Sequence, residues 1–521
     1  MLNIQKNLLQ SLQNPDLFQH SVEKLELIET HISWVLLTGP YAYKIKKSVN
    51  FGFLDFSSLE KRHYYCQEEI RLNKRSEPEI YIDVIAISGS VDKPNLNGQG
   101  ECIEWAVRMK QFDHSKQFDI LLKNKRLTQV HIDMLCKKVC RFHEYLYTGI
   151  SKADYGVPKK IYQAVNENYQ QIKNLSTDSR LISRVDALAQ WHKRQHKKLV
   201  PVFLTRQEKG FIRECHGDLH LGNIALHDNH VILFDCIEFN ENFRWIDTIS
   251  DLAFLTMDLD AHSSQHYASR LLNGYLQHSG DFQGISLLRY YQVYRALVRA
   301  KVACLQASQQ VDDTALKAAL IRQMEDYICL AEDYIQKKPV RLIITHGLSG
   351  SGKTSITTSL LEKLGAIRIR SDVERKRRYS AQTSDHSNGN LNNDLYSAAV
   401  TRATFNDLES ITSHILNAGY PVIVDATFIK KDTREQFQKL AKKSNVPYVI
   451  LDFQAPEELL KKWITKRIAS NTDISDADLD VLKQQIRSQE PLSKEEMSHA
   501  ISIHTENEVN IKLLASELMK L

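Results

Sequence analysis

Hydrophobic runs of strand length, each closing on a polar or glycine-rich turn, organise two stretches of this chain. The sharpest is Leu342-Ile-Ile-Thr-His346, framed by Arg341 and a run of glycines and serines. It predicts a buried strand, and Ser355–Leu361 after it predicts a helix. Similar apolar runs occur at Ala366–Arg370, Val231–Asp235, Gly419–Asp425 and Val446–Phe453. Residues 31–46 carry strand-type runs on either side of Gly39-Pro40, which predicts two strands joined by a tight turn. Longer stretches with helical period cover Ser57–Lys74 and Thr314–Ile335. Asp92–Gly100 predicts a hairpin loop. Neither a repeat nor a low-complexity tract occurs, and no apolar run approaches the ~20 residues of a membrane span.

The most informative segment is Gly347-Leu-Ser349-Gly350-Ser351-Gly352-Lys353-Thr354. Its glycines let successive backbone N–H groups, with Ser349, Ser351 and Ser355 among them, curl around an anion without Cβ clashes. Lys353 would reach the β/γ-phosphates of ATP, and the Thr354 hydroxyl would ligate Mg²⁺. The following helix would aim its positive dipole end at the same phosphates. Downstream, Arg370-Ser371-Asp372 ends a strand. Asp372 is a candidate general base for an acceptor hydroxyl, a role compatible with capping the next helix, and Arg375 would grip the acceptor. Asp425 closes a further strand as a metal-side acid. Arg467, on a basic helix before the polar loop 470–480, is the candidate for a mobile lid over ATP.

A second cluster, His216-Gly217-Asp218-Leu-His220-Leu-Gly-Asn223 followed by Asp235, orders an acid, an amide and a second acid. Asp218 would orient and deprotonate an attacking hydroxyl, while Asn223 and Asp235 offer oxygen ligands to Mg²⁺. Upstream, Lys44 is the first choice for the α/β-phosphates and Lys46 the second. Glu68 or Glu69 would pair with that lysine, and Glu104–Lys110 would be a hinge strand whose backbone reads the adenine edge. No glycine-rich G-x-G-x-x-G loop is present, Thr38-Gly39-Pro40 being a much shorter turn, and Asp235-Cys236-Ile237 stands where Asp-Phe-Gly is usual.

The His216–Asn223 pattern resembles the catalytic loop of the aminoglycoside phosphotransferase family, a kinase-like group acting on small-molecule hydroxyls. That resemblance covers roughly residues 30–260, favours Glu69 as the lysine's partner and implies a structural role for Asp251. The ordered set after residue 340 resembles P-loop kinases of the gluconate, shikimate and polynucleotide kinase group. The tandem is similar to a bacterial two-domain family with no assigned substrate. The expected architecture is therefore an α+β, bilobal kinase-like domain at 1–335, a linker at 336–339, and an α/β P-loop domain with a parallel sheet at 340–521.

Composition narrows the partners. Of 521 residues, 42% are hydrophobic and 25% charged, as in an ordinary globular protein. A net charge of +5 gives no case for nucleic acid, and the basic run Arg375–Arg378 alone prompts an oligonucleotide 5′-hydroxyl kinase as an alternative. Eight cysteines without a C-x-x-C, among them Cys136 and Cys140 one helical turn apart, read as packing. Met1–Lys6 lacks a charged-then-apolar signal pattern, so a cytoplasmic location is expected. The expected activity is ATP- and Mg²⁺-dependent phosphoryl transfer to small-molecule hydroxyls at two sites. The alternative leaves one domain as a nucleotide-sensing regulator.

Overall fold

A computed structural model describes residues 2–52, 54–146, 154–309, 313–383, 397–470 and 478–520. The chain forms two compact units, one of residues 1–170 with 193–258, the other of residues 171–192 with 259–521.

The first unit is built on a six-stranded antiparallel sheet. Its strands are β1 (Glu26–Glu29), β2 (Ser33–Leu37), β3 (Tyr41–Lys46), β4 (Tyr81–Gly89), β5 (Pro94–Leu96) and β6 (Cys102–Lys110), in the order β1-β2-β3-β6-β4-β5. The period of two decides the faces. Tyr43 and Ile45 turn to one side and pack with Trp34, Leu36 and Ile85 against Leu8, Leu9 and Leu12 of the helix Leu2–Leu12. Lys44 and Lys46 therefore point to the other side, toward the helix Leu59–Asn73, which is N-capped by Ser58. The segment 92–100 holds the short strand β5 and is not a plain loop. Beyond the sheet come the pair β7 (Ile212–Glu214) with β10 (Trp245–Asp247) and the hairpin β8 (Ile224–His227) with β9 (His230–Leu233). Asp228 and Asn229 both take positive φ at the β8–β9 turn, as a two-residue hairpin requires.

In the second unit β11 (Leu342–His346), β12 (Ile367–Arg370), β13 (Val422–Asp425), β14 (Tyr448–Gln454) and β15 (Ala500–His504) form a parallel sheet, ordered β12-β13-β11-β14-β15. Every residue of β11 and β13 is buried, which is why these runs are continuously apolar instead of alternating. With β11 central, the carboxyl ends of β11, β12 and β13 converge on one edge, where ligands of such sheets sit. The helices Gln265–Ser279, Ile285–Gln309 and Thr314–Ile335 belong to this unit. The chain crosses between the compact units at 170/171, 192/193 and 258/259.

Candidate phosphoryl-transfer sites

The first site forms where β3 meets the helix Leu59–Asn73. Lys44 Nζ donates to Glu69 Oε1 at 2.8 Å and also pairs with Asp235. Lys46 donates to the other oxygen, Glu69 Oε2, at 2.6 Å, and pairs with Glu238. One carboxylate thus serves both lysines, and all three side chains are at least nine-tenths buried. Burial alone would raise the Glu69 carboxyl; Lys44 and Lys46 overcome it and hold it at about 2. Burial opposes the Lys44 charge, yet Asp235 and Glu69 hold its ammonium well above the usual lysine value. Glu68 faces elsewhere, toward Arg71 at 2.8 Å and Arg244 at 3.3 Å.

Asp218 and Asn223 sit in the loop before β8. Asn223 Nδ2 donates to the Asp218 carbonyl at 3.0 Å and to its carboxylate at 3.1 Å, leaving the amide oxygen to act as a ligand. Asp235 has φ +65°, and its N–H donates to the Tyr81 hydroxyl at 3.0 Å. The loop is pinned from behind by the helix Thr248–Ala261. Asp251, fully buried, accepts from the backbone N–H of His216 and Gly217, both at 3.0 Å, and Asp258 accepts from Leu221 N–H at 2.9 Å. Buried carboxylates on backbone amides are a structural use of charge.

One expectation changes here. Glu104–Lys110 lies inside the sheet as part of β6, paired with β3 on one side and β4 on the other, so its backbone is committed to the ladder. Its Glu104 carboxylate is taken by Arg62 at 2.8 Å and Gln5 at 2.6 Å. Thr38-Gly39-Pro40 joins β2 to β3. The turn between β1 and β2, Thr30–Ile32, is free of glycine and is held by Lys47, which pairs with Glu29 and the Thr30 carbonyl. Its His31 feels the charges of Asp218, Asp235, Lys44 and Lys47, and desolvation, the largest influence, lowers its imidazole below the usual value.

The second site lies at the carboxyl edge of the parallel sheet. Gly347, Gly350 and Gly352 take φ of +136°, +82° and +79°. A Cβ on Gly347 would meet the Phe453 carbonyl oxygen at 2.5 Å, so this turn requires glycine. The helix Lys353–Leu364 starts at Lys353, two residues earlier than its sequence pattern suggests. Lys353 Nζ donates to the Gly347 carbonyl at 3.0 Å and the Leu348 carbonyl at 2.6 Å, and burial lowers its ammonium to about 8. Thr354 Oγ1 donates to Asp425 Oδ2 at 3.0 Å, joining the two predicted metal-side residues.

These groups open into a cavity of about 1200 Å³ that Ser349, Gly350, Ser351, Ser355, Asp372 and Arg467 also line. Asp372 lies in the first turn of the helix Ser371–Thr383, not at its cap, with Oδ1 3.3 Å from Arg375. Arg467 is described; most of the predicted lid loop, residues 471–477, lies outside the described residues. Three contributors carry no sequence signal. Gln485 accepts from Ser349 N–H at 2.9 Å across 136 residues. Arg368 donates to the Thr354 carbonyl at 2.9 Å and to the Thr357 and Thr358 hydroxyls. Asn273 acts on β12 from outside the sheet. Arg434, in contrast, is structural: it is buried against Glu496 at 2.6 Å.

The donor sets suit a nucleotide with a hard cation: carboxylate and amide oxygens beside a lysine in the first site, and a glycine cradle with a lysine, a hydroxyl and a carboxylate in the second.

Comparison with known proteins agrees with this division of chemistry. Residues 124–297 match the family model described as "Phosphotransferase enzyme family", and residues 342–492 match that described as "AAA domain". Uncharacterised proteins of Mycobacterium tuberculosis and Mycobacterium bovis are 27% identical over 452 residues, covering 86% of this chain and 87% of theirs. Among solved structures, an amicoumacin kinase in complex with AMP-PNP and Ca²⁺ is 14% identical, with TM-score 0.40, covering 63% of this chain and 96% of its own. A putative kinase from Chloroflexus aurantiacus is 19% identical, with TM-score 0.28, covering 35% and 98%. Two separate stretches of the chain are thus similar to known families, residues 124–297 to the phosphotransferase enzyme family and residues 342–492 to the AAA domain.

Proposed function

We propose that the protein is an ATP-dependent phosphotransferase with two separate sites, each passing the γ-phosphoryl group to a hydroxyl of a small molecule. What supports this reading is that Lys353, Thr354, Asp372 and Asp425 line one cavity in the second unit, while in the first Lys44 pairs with Glu69 and Asp235, and Asn223 with Asp218. Mg²⁺ bound with the nucleotide would offset the charge of the phosphates. In the first site Lys44, oriented by Glu69, would hold the α/β-phosphates, and Asn223 and Asp235 would hold the cation. Asp218 would accept the proton as the acceptor oxygen attacks phosphorus. In the second site Lys353 and the loop amides would take the phosphates, Thr354 and Asp425 would hold the cation and its water, and Arg467 would close over ATP. Asp372 would accept the acceptor's proton. In both, the new O–P bond forms as the bond to the β-phosphate oxygen breaks, and ADP leaves.

A second reading makes the first unit a nucleotide sensor, favoured by the glycine-free turn Thr30–Ile32. The intact pairing of Lys44 with Glu69 supports catalysis instead. Nucleic acid and membrane are not expected partners, and the setting is cytoplasmic. Phosphoryl transfer from γ-labelled ATP into a library of hydroxyl compounds, with Asp218→Asn, Lys353→Ala and both together, tests this. Each single change should remove a distinct set of products and the double should remove all. Single variants that both leave every product in place would end the reading, and loss with Lys353→Ala alone would leave the first unit as a sensor.

A further inference from the structure

β12 is the edge strand of the parallel sheet, and it feeds directly into Ser371-Asp372. An edge strand presents unpaired backbone groups on its outer side. In β12 the inward groups go to β13, with Ile367 N–H donating to the Pro421 carbonyl at 2.9 Å. Those of Ala366 and Arg368 therefore face out. Both are met by one side chain. Asn273, on the helix Gln265–Ser279, donates from Nδ2 to the Ala366 carbonyl at 2.9 Å and accepts at Oδ1 from Arg368 N–H at 2.7 Å. That carbonyl and that N–H bracket Ile367, just as one residue of a parallel neighbour would. A single carboxamide thus supplies one step of a missing sixth strand, and it is 6% exposed.

The same helix reaches the two other elements of the site. Arg270 pairs with Glu362 of the helix Lys353–Leu364 at 2.9 Å. At its C-terminal end, the Gln277 carbonyl accepts from Arg377 of the helix Ser371–Thr383, the helix that carries Asp372 and Arg375. Arg368 completes the path, because its backbone is held by Asn273 while its guanidinium grips the Thr354 carbonyl and the Thr358 hydroxyl at 2.7 Å.

We propose that Asn273 is a positioning residue of the P-loop phosphoryl-transfer site, and that the helix Gln265–Ser279 is a working part of that site. Asn273 sets the depth of β12, and with it the place of Asp372 relative to Thr354. The assignment rests on the reading of the second site as a phosphotransferase.

The experiment uses the full chain carrying Asp218→Asn, so that ATP turnover reports the second site. Asn273→Ala is expected to lower kcat by about 10- to 100-fold with KM for ATP close to its original value, because misplacement and not lost binding is the defect. Amide exchange across 366–372 should quicken. Asn273→Asp supplies a sharper readout. Its ionised carboxylate would accept from Arg368 N–H but oppose the Ala366 carbonyl, whereas its protonated form would donate there again. Its activity relative to the parent should rise as pH falls from about 8 to about 6. Unchanged kcat and unchanged exchange in Asn273→Ala, or an Asn273→Asp variant that tracks the parent across pH, would overturn the proposal. If the parent itself shows no turnover at this site, the functional reading fails, and amide exchange in Asn273→Ala still decides whether the side chain holds β12.

Discussion

Glu69→Gln separates the charge network of the first unit from its shape. The substitution keeps the size of the side chain and removes the one carboxylate that both Lys44 and Lys46 contact, at 2.8 and 2.6 Å. Two buried ammoniums lose their shared partner, although Asp235 and Glu238 stay beside them. A carboxyl held at about 2 against its ordinary 4.5 corresponds to about 3 kcal/mol of folded-state stability at neutral pH. Glu69 is fully buried, so solvent screening takes little from this figure. Breaking a buried ion pair costs about 3–5 kcal/mol in general, which agrees. The sign follows from the direction: the folded carboxyl is the stronger acid, so this stability is present above pH 4.5 and is lost as pH falls through about 2. Amide exchange in β3 and in the helix Leu59–Asn73 measures it. At neutral pH the exchange-competent population should rise roughly 100-fold in the variant. Below pH 4.5 the gap between variant and parent should narrow. Equal protection at neutral pH, or a gap that persists at pH 2, would refute the reasoning.

The P-loop site yields two further expectations. Because burial lowers the ligand-free Lys353 to about 8, ATP binding near pH 8.5 should take up part of a proton as phosphate restores the ammonium. Calorimetry in buffers of different ionisation enthalpy measures that uptake, which Lys353→Ala should abolish; uptake that survives the substitution would place the proton elsewhere. Gly347→Ala combines a φ of +136° with a Cβ 2.5 Å from the Phe453 carbonyl oxygen. It should cost about 1–3 kcal/mol and most of the ATP affinity, read by thermal denaturation with and without nucleotide. A variant as stable and as tight as the parent would show that the loop does not need this turn.

Local chemistry was legible along the chain wherever it is contiguous. Gly347–Thr354 stood out because a phosphate cradle would need neighbouring amides, and the strand before it because both sheet faces are covered. Asp218, Asn223 and Asp235 were legible for the same reason: their spacing lies within one loop and one hairpin. The resemblance favoured Glu69 over its neighbour, and the placed helix supplies the reason, since adjacent helical residues point about 100° apart and Glu69 is the one that meets Lys44 and Lys46. What the sequence could not disclose is everything made by residues far apart along it. β6 proved interior because β4 and β3 flank it. Asn273 and Arg368 are 95 residues apart, and no pattern marks a lone asparagine as the neighbour of an edge strand. Hydrogen bonds across such distances depend on packing of whole helices, and packing is a property of the folded chain alone.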